Sequence, residues 1–320
     1  GESGANVTSK AHETIEIQSL EKQDGEALID NMLEIKGLPF SIKEKILDRA
    51  GGNPFFIEEV VHSLIDDGMV VRGAHGFEVT KKINRVVSPP TINDVLMARI
   101  DRLEEETREL VKVASVIGRS FFDRILKDVA DSIDRVDDRL SYLKDVQLIR
   151  ERRRLQELEY LFSHALAQEA AYKSTLLQQR KVLHLKVAQS IEKIFRERLH
   201  EFYGMLAHHY GLAEDADKTE KYLTKAGEEA LKSSASSEAL NYLQEALKLY
   251  LAKYGQDADP EKLANLEKNI AIAYHNKARW PEAVEYFEKV LIRWGAPLPK
   301  NDLAGIASTI WGFLVLLKVV

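Results

Sequence analysis

The side chains of this sequence that could do chemistry fall into a few clusters, and most are spaced wrongly for it. His208 and His209 are adjacent, so on a helix they point about 100° apart and cannot close on one metal ion. His184 and His200 stand isolated on helical stretches, and no metal site is expected. The chain has no cysteine, which excludes disulfides, thiolate catalysis and cysteine–metal sites. No Ser/His/Asp set is recognisable, and separation along the chain cannot supply one. Glu104-Glu105-Glu106 reads as the acidic first turn of a helix, favoured there by the helix dipole. The strongest basic cluster is Arg150-x-Arg152-Arg153-Arg154. On a hairpin it could hold nucleic-acid phosphates, but Glu151, Glu157 and Glu159 dilute its field. A solvated hairpin is the first reading, and contact with another domain of the same protein the second.

Phosphate chemistry lacks its usual cradle. Nothing fits G-x-x-x-x-G-K-[ST], and Gly1-Glu-Ser-Gly4 has neither the Lys-Ser/Thr that must follow nor a strand before it. No apolar strand ending in paired acids stands ready for magnesium. The chain is therefore not expected to hydrolyse ATP by itself.

The elements that must position any site are mostly helices. The 320 residues allow two or three compact units, and 45% hydrophobic with 30% charged residues suits a helix-rich globular protein. A net charge of -6 argues against constitutive binding of DNA. Absence of cysteine fits a reducing compartment, and a cytoplasmic location is expected. The sequence opens on Gly1 and ends inside an apolar run, so both ends read as cuts from a longer protein.

The phrase GGNPFFIEEVVHSLIDDG, from Gly51 to Gly68, carries the densest signal. Ser41-x-x-Glu44 reads as a capping box that starts a short helix, which Gly51 and Gly52 stop. Asn53-Pro54 fixes an extended backbone, and Pro54 opens the next helix. Phe55, Phe56, Val60, Val61, Leu64 and Ile65 fall mainly on one face of it. From the pattern alone, this is a helix-turn-helix corner with a proline start.

The whole phrase also resembles a family. GNPFFIEEV is similar to the region just after the nucleotide-binding core of STAND-type signalling ATPases, above all those attached to bacterial class III adenylate or guanylate cyclases and to some kinases. Residues 92–119 and 158–192 resemble the segments that follow in that family, and helical repeats come next in both. The resemblance implies a site. Gly52, Asn53 and Pro54 would form the turn whose proline packs on adenine. His164, in Ser163-His164-Ala165, would match the histidine of a Met-His-Asp motif that approaches the bound diphosphate at a helix start. An imidazole donor beside helix amides suits a phosphate sensor. Ala165 departs from the motif's Asp, and the residues themselves equally allow a capping or buried structural histidine. Neither element would bind nucleotide without the missing core. The chain itself is expected to hold no cofactor, and ATP or ADP with magnesium would belong to the parent.

Read along the chain, helices are expected at about 22–35, 42–50 and 54–67, then a hairpin at 69–72 and 77–80. The Ser88-Pro89-Pro90 linker follows, and Thr91-x-x-Asp94 caps the next helix. Residues 14–17 alternate like a strand. Four helices run from Ile92 to Leu143, breaking near 103–105, at Gly118 and at 131–132. A second hairpin spans 147–152 and 157–162. Beyond Leu199 come repeats: Tyr203-x2-Leu206-Ala207-x2-Tyr210, then Leu223-x2-Ala226-Gly227-x2-Ala230-x8-Ala239-x3-Leu243-x2-Ala246, then Ile270-Ala271-x2-Tyr274-x8-Ala283-x3-Phe287. Their small and large positions match the tetratricopeptide spacing, with a plain helical bundle as the alternative.

The expected fold class is mainly α: a helical lid and a winged-helix domain with short β-hairpins, then an α-solenoid of tetratricopeptide-like hairpins. The boundaries are 1–20 (the tail of a missing nucleotide core), 21–88 (lid), 89–198 (winged helix and connecting helices) and 199–320 (repeats). The apolar run 303–320, from Leu303 to Val320, reads first as a helix packed on the repeats. A partner surface and membrane association are the other readings. The expected function is a non-catalytic regulatory fragment of a STAND-type ATPase, controlling a nucleotide cyclase. Its partners would be its own nucleotide core and a protein bound to the repeats. A transcriptional regulator with a DNA-reading winged helix and a tetratricopeptide scaffold are the alternatives.

Overall fold

The computed structural model describes residues 16, 18–33, 38–73, 76–81, 91–154 and 157–296. The linker at 88–90, the apolar run 303–320 and, apart from Glu16, the strand expected at 14–17 lie outside the described residues. Fourteen α-helices and five short strands make the described chain mainly α. It divides into two compact units: residues 1–111, 137–150 and 162–171, and residues 112–136, 151–161 and 172–320.

In the first unit α1 (Lys22–Leu33), α2 (Phe40–Ala50) and α3 (Pro54–Asp66) precede a hairpin of β1 (Val70–Gly73) and β2 (Gly76–Val79), and α4 (Ile92–Asp101) follows. Ile29, Leu33, Ile46, Ile57, Val60, Val61, Val70 and Val95 form the centre of its core. The helices approach closely at Gly25, where an added Cβ would stand 2.5 Å from Leu47 Cδ2. Thr91 and Asp94 cap α4 reciprocally, as the sequence predicts. The capping box at Ser41 and Glu44 does not form. Pro39, held at φ -53°, starts α2 earlier, and its carbonyl accepts the amides of Ile42 and Lys43. Ser41 is thereby carried inside the first turn.

Two glycines end α2, for different reasons. Gly51 has φ 55° and open space where a Cβ would go. Gly52 has φ 77°, and a Cβ there would lie 2.6 Å from the carbonyl oxygen of Leu20, whose amide donates to Gly52 O at 2.8 Å. Gly51→Ala should therefore cost about 1 kcal/mol, the penalty of a left-handed backbone. Gly52→Ala adds a collision with main chain and should cost about 3 kcal/mol. Urea unfolding of both variants checks the ranking, and equal costs would refute the close approach.

The helices α5 (Glu105–Ile117), α7 (Val136–Asp145) and α8 (Ala165–Ser174) contribute residues to both units. The second holds β3 (Ser120–Phe122), α6 (Asp123–Val129), most of β4 (Ile149–Arg154) and β5 (Glu157–Phe162), and α9 (Leu177–Ile194), which precedes a 3-10 segment, Arg196–Phe202. The strands form a sheet in the order β3-β5-β4. The expected second hairpin is thus part of a three-stranded sheet, with β3 antiparallel to β5 and Phe121 opposite Tyr160. Phe122 meets Phe195 and Phe202 edge-on, and those two rings stack at 4.3 Å.

The repeats follow as α10 (Tyr203–Leu212), α11 (Ala216–Lys232), α12 (Ser236–Tyr254), α13 (Pro260–Asn276) and α14 (Trp280–Arg293). Each packs on the next. The small residues sit where the spacing requires: Ala226, Ala230, Ala239 and Ala246 are buried beside Leu223 and Leu243. At Gly227 a Cβ would lie 2.5 Å from Leu243 Cγ, so the Leu243 side chain of α12 packs directly on the α11 backbone there. Glu192 of α9 ties the first repeat helices together. It accepts hydrogen bonds from the hydroxyls of Tyr210 (2.8 Å) and Tyr222 and from Lys218 Nζ (2.8 Å). Burial works to raise the Glu192 pKa, but these bonds hold it below the ordinary value.

Candidate functional site

The turn before α3 is built as the sequence predicts. Asn53 is extended (φ -82°, ψ 108°), its Oδ1 accepts the Phe55 amide at 3.0 Å, and Pro54 begins the helix. The Asn53 carbonyl accepts the Ile57 amide at 3.3 Å. Pro54 has no amide hydrogen and Asn53 occupies the next donor. What this turn offers a ligand is therefore the apolar face of Pro54 and the ring of Phe55, more than a cradle of free N–H groups.

His164 lies against the same turn. It directly precedes α8, and its carbonyl accepts the Ala167 amide at 3.2 Å. Its ring packs on Phe55 with centroids 3.9 Å apart and planes tilted by 35°. Its Nε2 stands 3.9 Å from Glu58 Oε2 and 3.8 Å from Glu59 Oε1, within ion-pair range and beyond a hydrogen bond. The four candidate residues, Gly52, Asn53, Pro54 and His164, thus gather within one unit, at the start of α3 and the start of α8.

Behind this surface is a buried ionic group that the sequence analysis misses. Arg99 of α4 donates from Nη1 to Glu59 Oε2 at 2.6 Å, from Nε to Asp66 Oδ2 at 3.1 Å and from Nη2 to the Val146 carbonyl at 2.8 Å. The side chains of Arg99 and Glu59 are 5% and 3% exposed. Burial, then the nearby Arg99 charge, lower the His62 pKa. One signal was available. Glu59 falls three and four residues from Phe56 and Ser63, on the stripe that α3 buries, where a lone carboxylate needs a cation.

Two arginines of the basic cluster pair within their own sheet. Arg152 Nε donates to Glu159 Oε2, and Arg154 Nη1 lies 3.6 Å from Glu159 Oε1. Glu159 is 1% exposed. Burial works to raise its pKa, and the hydrogen bonds from Arg152 and Ser120, with both arginine charges, keep it low.

One expectation about the histidines is overturned. His184 is not isolated: its Nδ1 is 2.8 Å from Nδ1 of His209, and its Nε2 is 3.1 Å from the Tyr172 hydroxyl. Helix packing between α9 and α10 brings them together, which sequence separation could not show. Among the described residues no group of three or more His, Asp or Glu could hold a metal ion. No described helix is long and apolar enough to cross a membrane.

Two families match parts of the chain. Residues 21–71 match a family described as Domain of unknown function (DUF8739). Residues 269–296 match the Tetratricopeptide repeat family, and they cover the end of α13 and all of α14. No curated protein sequence matches the chain. Among solved structures it is similar to that of the Signal Transduction ATPase with Numerous Domains (STAND) protein with a tetratricopeptide repeat sensor, PH0952, from Pyrococcus horikoshii. The identity is 14% and the TM-score 0.35, over 86% of this chain and 54% of that one. The chain therefore spans about half the length of that protein, and a likeness of this size decides neither fold nor function.

Proposed function

We propose that this chain is the non-catalytic regulatory part of a STAND-type signalling ATPase. In this reading the nucleotide, ATP or ADP with magnesium, sits on the parent's own nucleotide-binding core. Pro54 covers the base, and His164 reports on the phosphates. Residues 89–198 supply connecting helices and a winged-helix domain, which closes over the core. The tetratricopeptide repeats receive the signal through a protein partner. The output is a nucleotide cyclase, and the assembly works in the cytoplasm. The pairing of Arg152 and Arg154 with Glu159 favours this reading over a DNA-reading wing, because the carboxylate offsets part of the cluster's positive charge.

The observation that supports the reading most is the ring contact of His164 with Phe55, next to Pro54. Residues more than a hundred positions apart along the chain meet there, as two elements serving one nucleotide must. The test uses the full-length protein. His164→Ala should weaken ADP binding and raise basal output several-fold, in line with couplings of about 1–3 kcal/mol. Pro54→Ala should weaken ATP and ADP alike. Nucleotide affinity and output are measured for each variant, with thermal unfolding to confirm the fold. If His164→Ala folds and changes neither quantity, His164 is structural and the sensor role is wrong.

A further inference from the structure

A groove of about 710 Å3 lies between α10, α11 and α12. Gly204, Ala207, His208 and Gly211 form its α10 side, at positions i, i+3, i+4 and i+7 of one helix face. The two glycines explain the space. Nothing stands closer than 3.6 Å, at Thr219 Cγ2, to where a Gly211 Cβ would be. At Gly204 a Cβ would lie 2.6 Å from the Tyr242 hydroxyl, so the tyrosine leans over that glycine and closes one end. Leu223 of α11 and Leu249 of α12 supply apolar wall.

The charge at this groove has one sign. Glu214 and Glu245 line it, and neither lysine nor arginine does. Lys181 already engages Glu214 at 2.6 Å, so Glu245 is the carboxylate placed for a ligand. Burial lowers the His208 pKa, so the imidazole adds no positive charge near neutral pH. The size decides between kinds of occupant. A protein partner takes about 20–30 residues a side, and a dozen line this groove. Small-molecule sites hold about 300–1,000 Å3.

We propose that this groove binds a small organic cation, an amine carried on an apolar body. The body lies along Leu223 and Leu249 over the glycine face. The ammonium meets the Glu245 carboxylate and the face of Tyr242, as cations do on aromatic rings. This would give the repeats a small-molecule signal beside a protein one. It stands on the groove alone, so its failure leaves the nucleotide-switch reading untouched.

The experiment is calorimetric titration of the purified chain with 2-phenylethylamine. Phenylacetate and 2-phenylethanol serve as charge-reversed and neutral probes of the same body. The amine should bind at least tenfold more tightly than either. Glu245→Gln should erase that preference. Gly211→Leu should fill the groove and abolish binding, whereas Gly211→Ala, whose methyl meets Thr219 at ordinary contact distance, should keep most of it. Circular dichroism confirms folding, and if Gly211→Leu does not fold, Glu245→Gln decides. No saturable binding of the amine at millimolar concentrations, equal binding of all three probes, or amine preference that survives Glu245→Gln would each overturn the proposal.

Discussion

Replacing Arg99 by methionine is expected to destabilise the first unit by about 3–5 kcal/mol, a large share of a domain's usual stability. The guanidinium is the cation for Glu59, whose side chain is 3% exposed, and it also binds Asp66 and the Val146 carbonyl. Methionine fills much of the same volume, so the loss is electrostatic: a carboxylate stays buried without its partner. Arg102 provides the comparison. It pairs with Asp67 at 2.9 Å but is 41% exposed, and Arg102→Met should cost about 1 kcal/mol or less. Adding Glu59→Leu to Arg99→Met should restore most of the lost stability, because the unpaired charge is then gone. Urea unfolding measures all three. Equal costs for the Arg99 and Arg102 variants would show that the buried pair is not what holds α3 to α4.

Acid should loosen the second unit well before its carboxylates matter. His184 and His209 are 2% and 1% exposed, with facing Nδ1 atoms 2.8 Å apart. A hydrogen bond there needs one nitrogen to donate and the other to accept, and charging both rings would set two N–H groups face to face. Burial first, then the neighbouring His208 and Arg180, bring His184 down to about 4. Burial first, then His184 and His208, bring His209 down to about 3, and only the Ile117 backbone favours its charged form. Tyr172 is the remaining polar neighbour. Because both folded values lie below the unfolded value near 6.5, the unfolded chain takes up protons first. Stability is full above that value and falls as pH drops from about 6.5 toward 4 and 3. At pH 5 each histidine should have cost about 2 kcal/mol. His184→Phe with His209→Leu should flatten this dependence, as read from unfolding midpoints between pH 5 and 7.5. An equally steep profile in the double variant would place the acid sensitivity elsewhere.

These two sites were also the least legible in the sequence. Helix positions, the Thr91 cap, the Asn53-Pro54 start and the repeat spacing are local, and each could be read within about a dozen residues. Arg99 with Glu59 and His184 with His209 are pairings between helices, set by packing that no local pattern encodes. β3 escaped because Ser-Phe-Phe is too short to show alternation, and only pairing with β5 makes it a strand. Turn chemistry hid a second regularity. Glu214, Ser234 and Ala278 all take positive φ (61°, 60° and 56°), each two residues before the next helix begins. None is glycine or asparagine, so composition gave no sign of a turn that recurs through the repeats. Of the candidate site, the turn at Gly52, Asn53 and Pro54 was readable as local structure. That Pro54 and His164 would serve one nucleotide rested on resemblance alone, and the contact of His164 with Phe55 was not foreseen.

The repeats have a mechanical consequence. From α11 to α14 each helix leans mainly on its immediate neighbours, and closures such as that at Gly227 against Leu243 lie within one hairpin. Such a stack rests mainly on contacts between neighbours. A small turn at one contact adds to the next, so the array bends and stretches like a spring, storing a pull at α14 as strain shared among its joints. Stiffness then becomes a property that a ligand wedged between two helices can tune without moving either end.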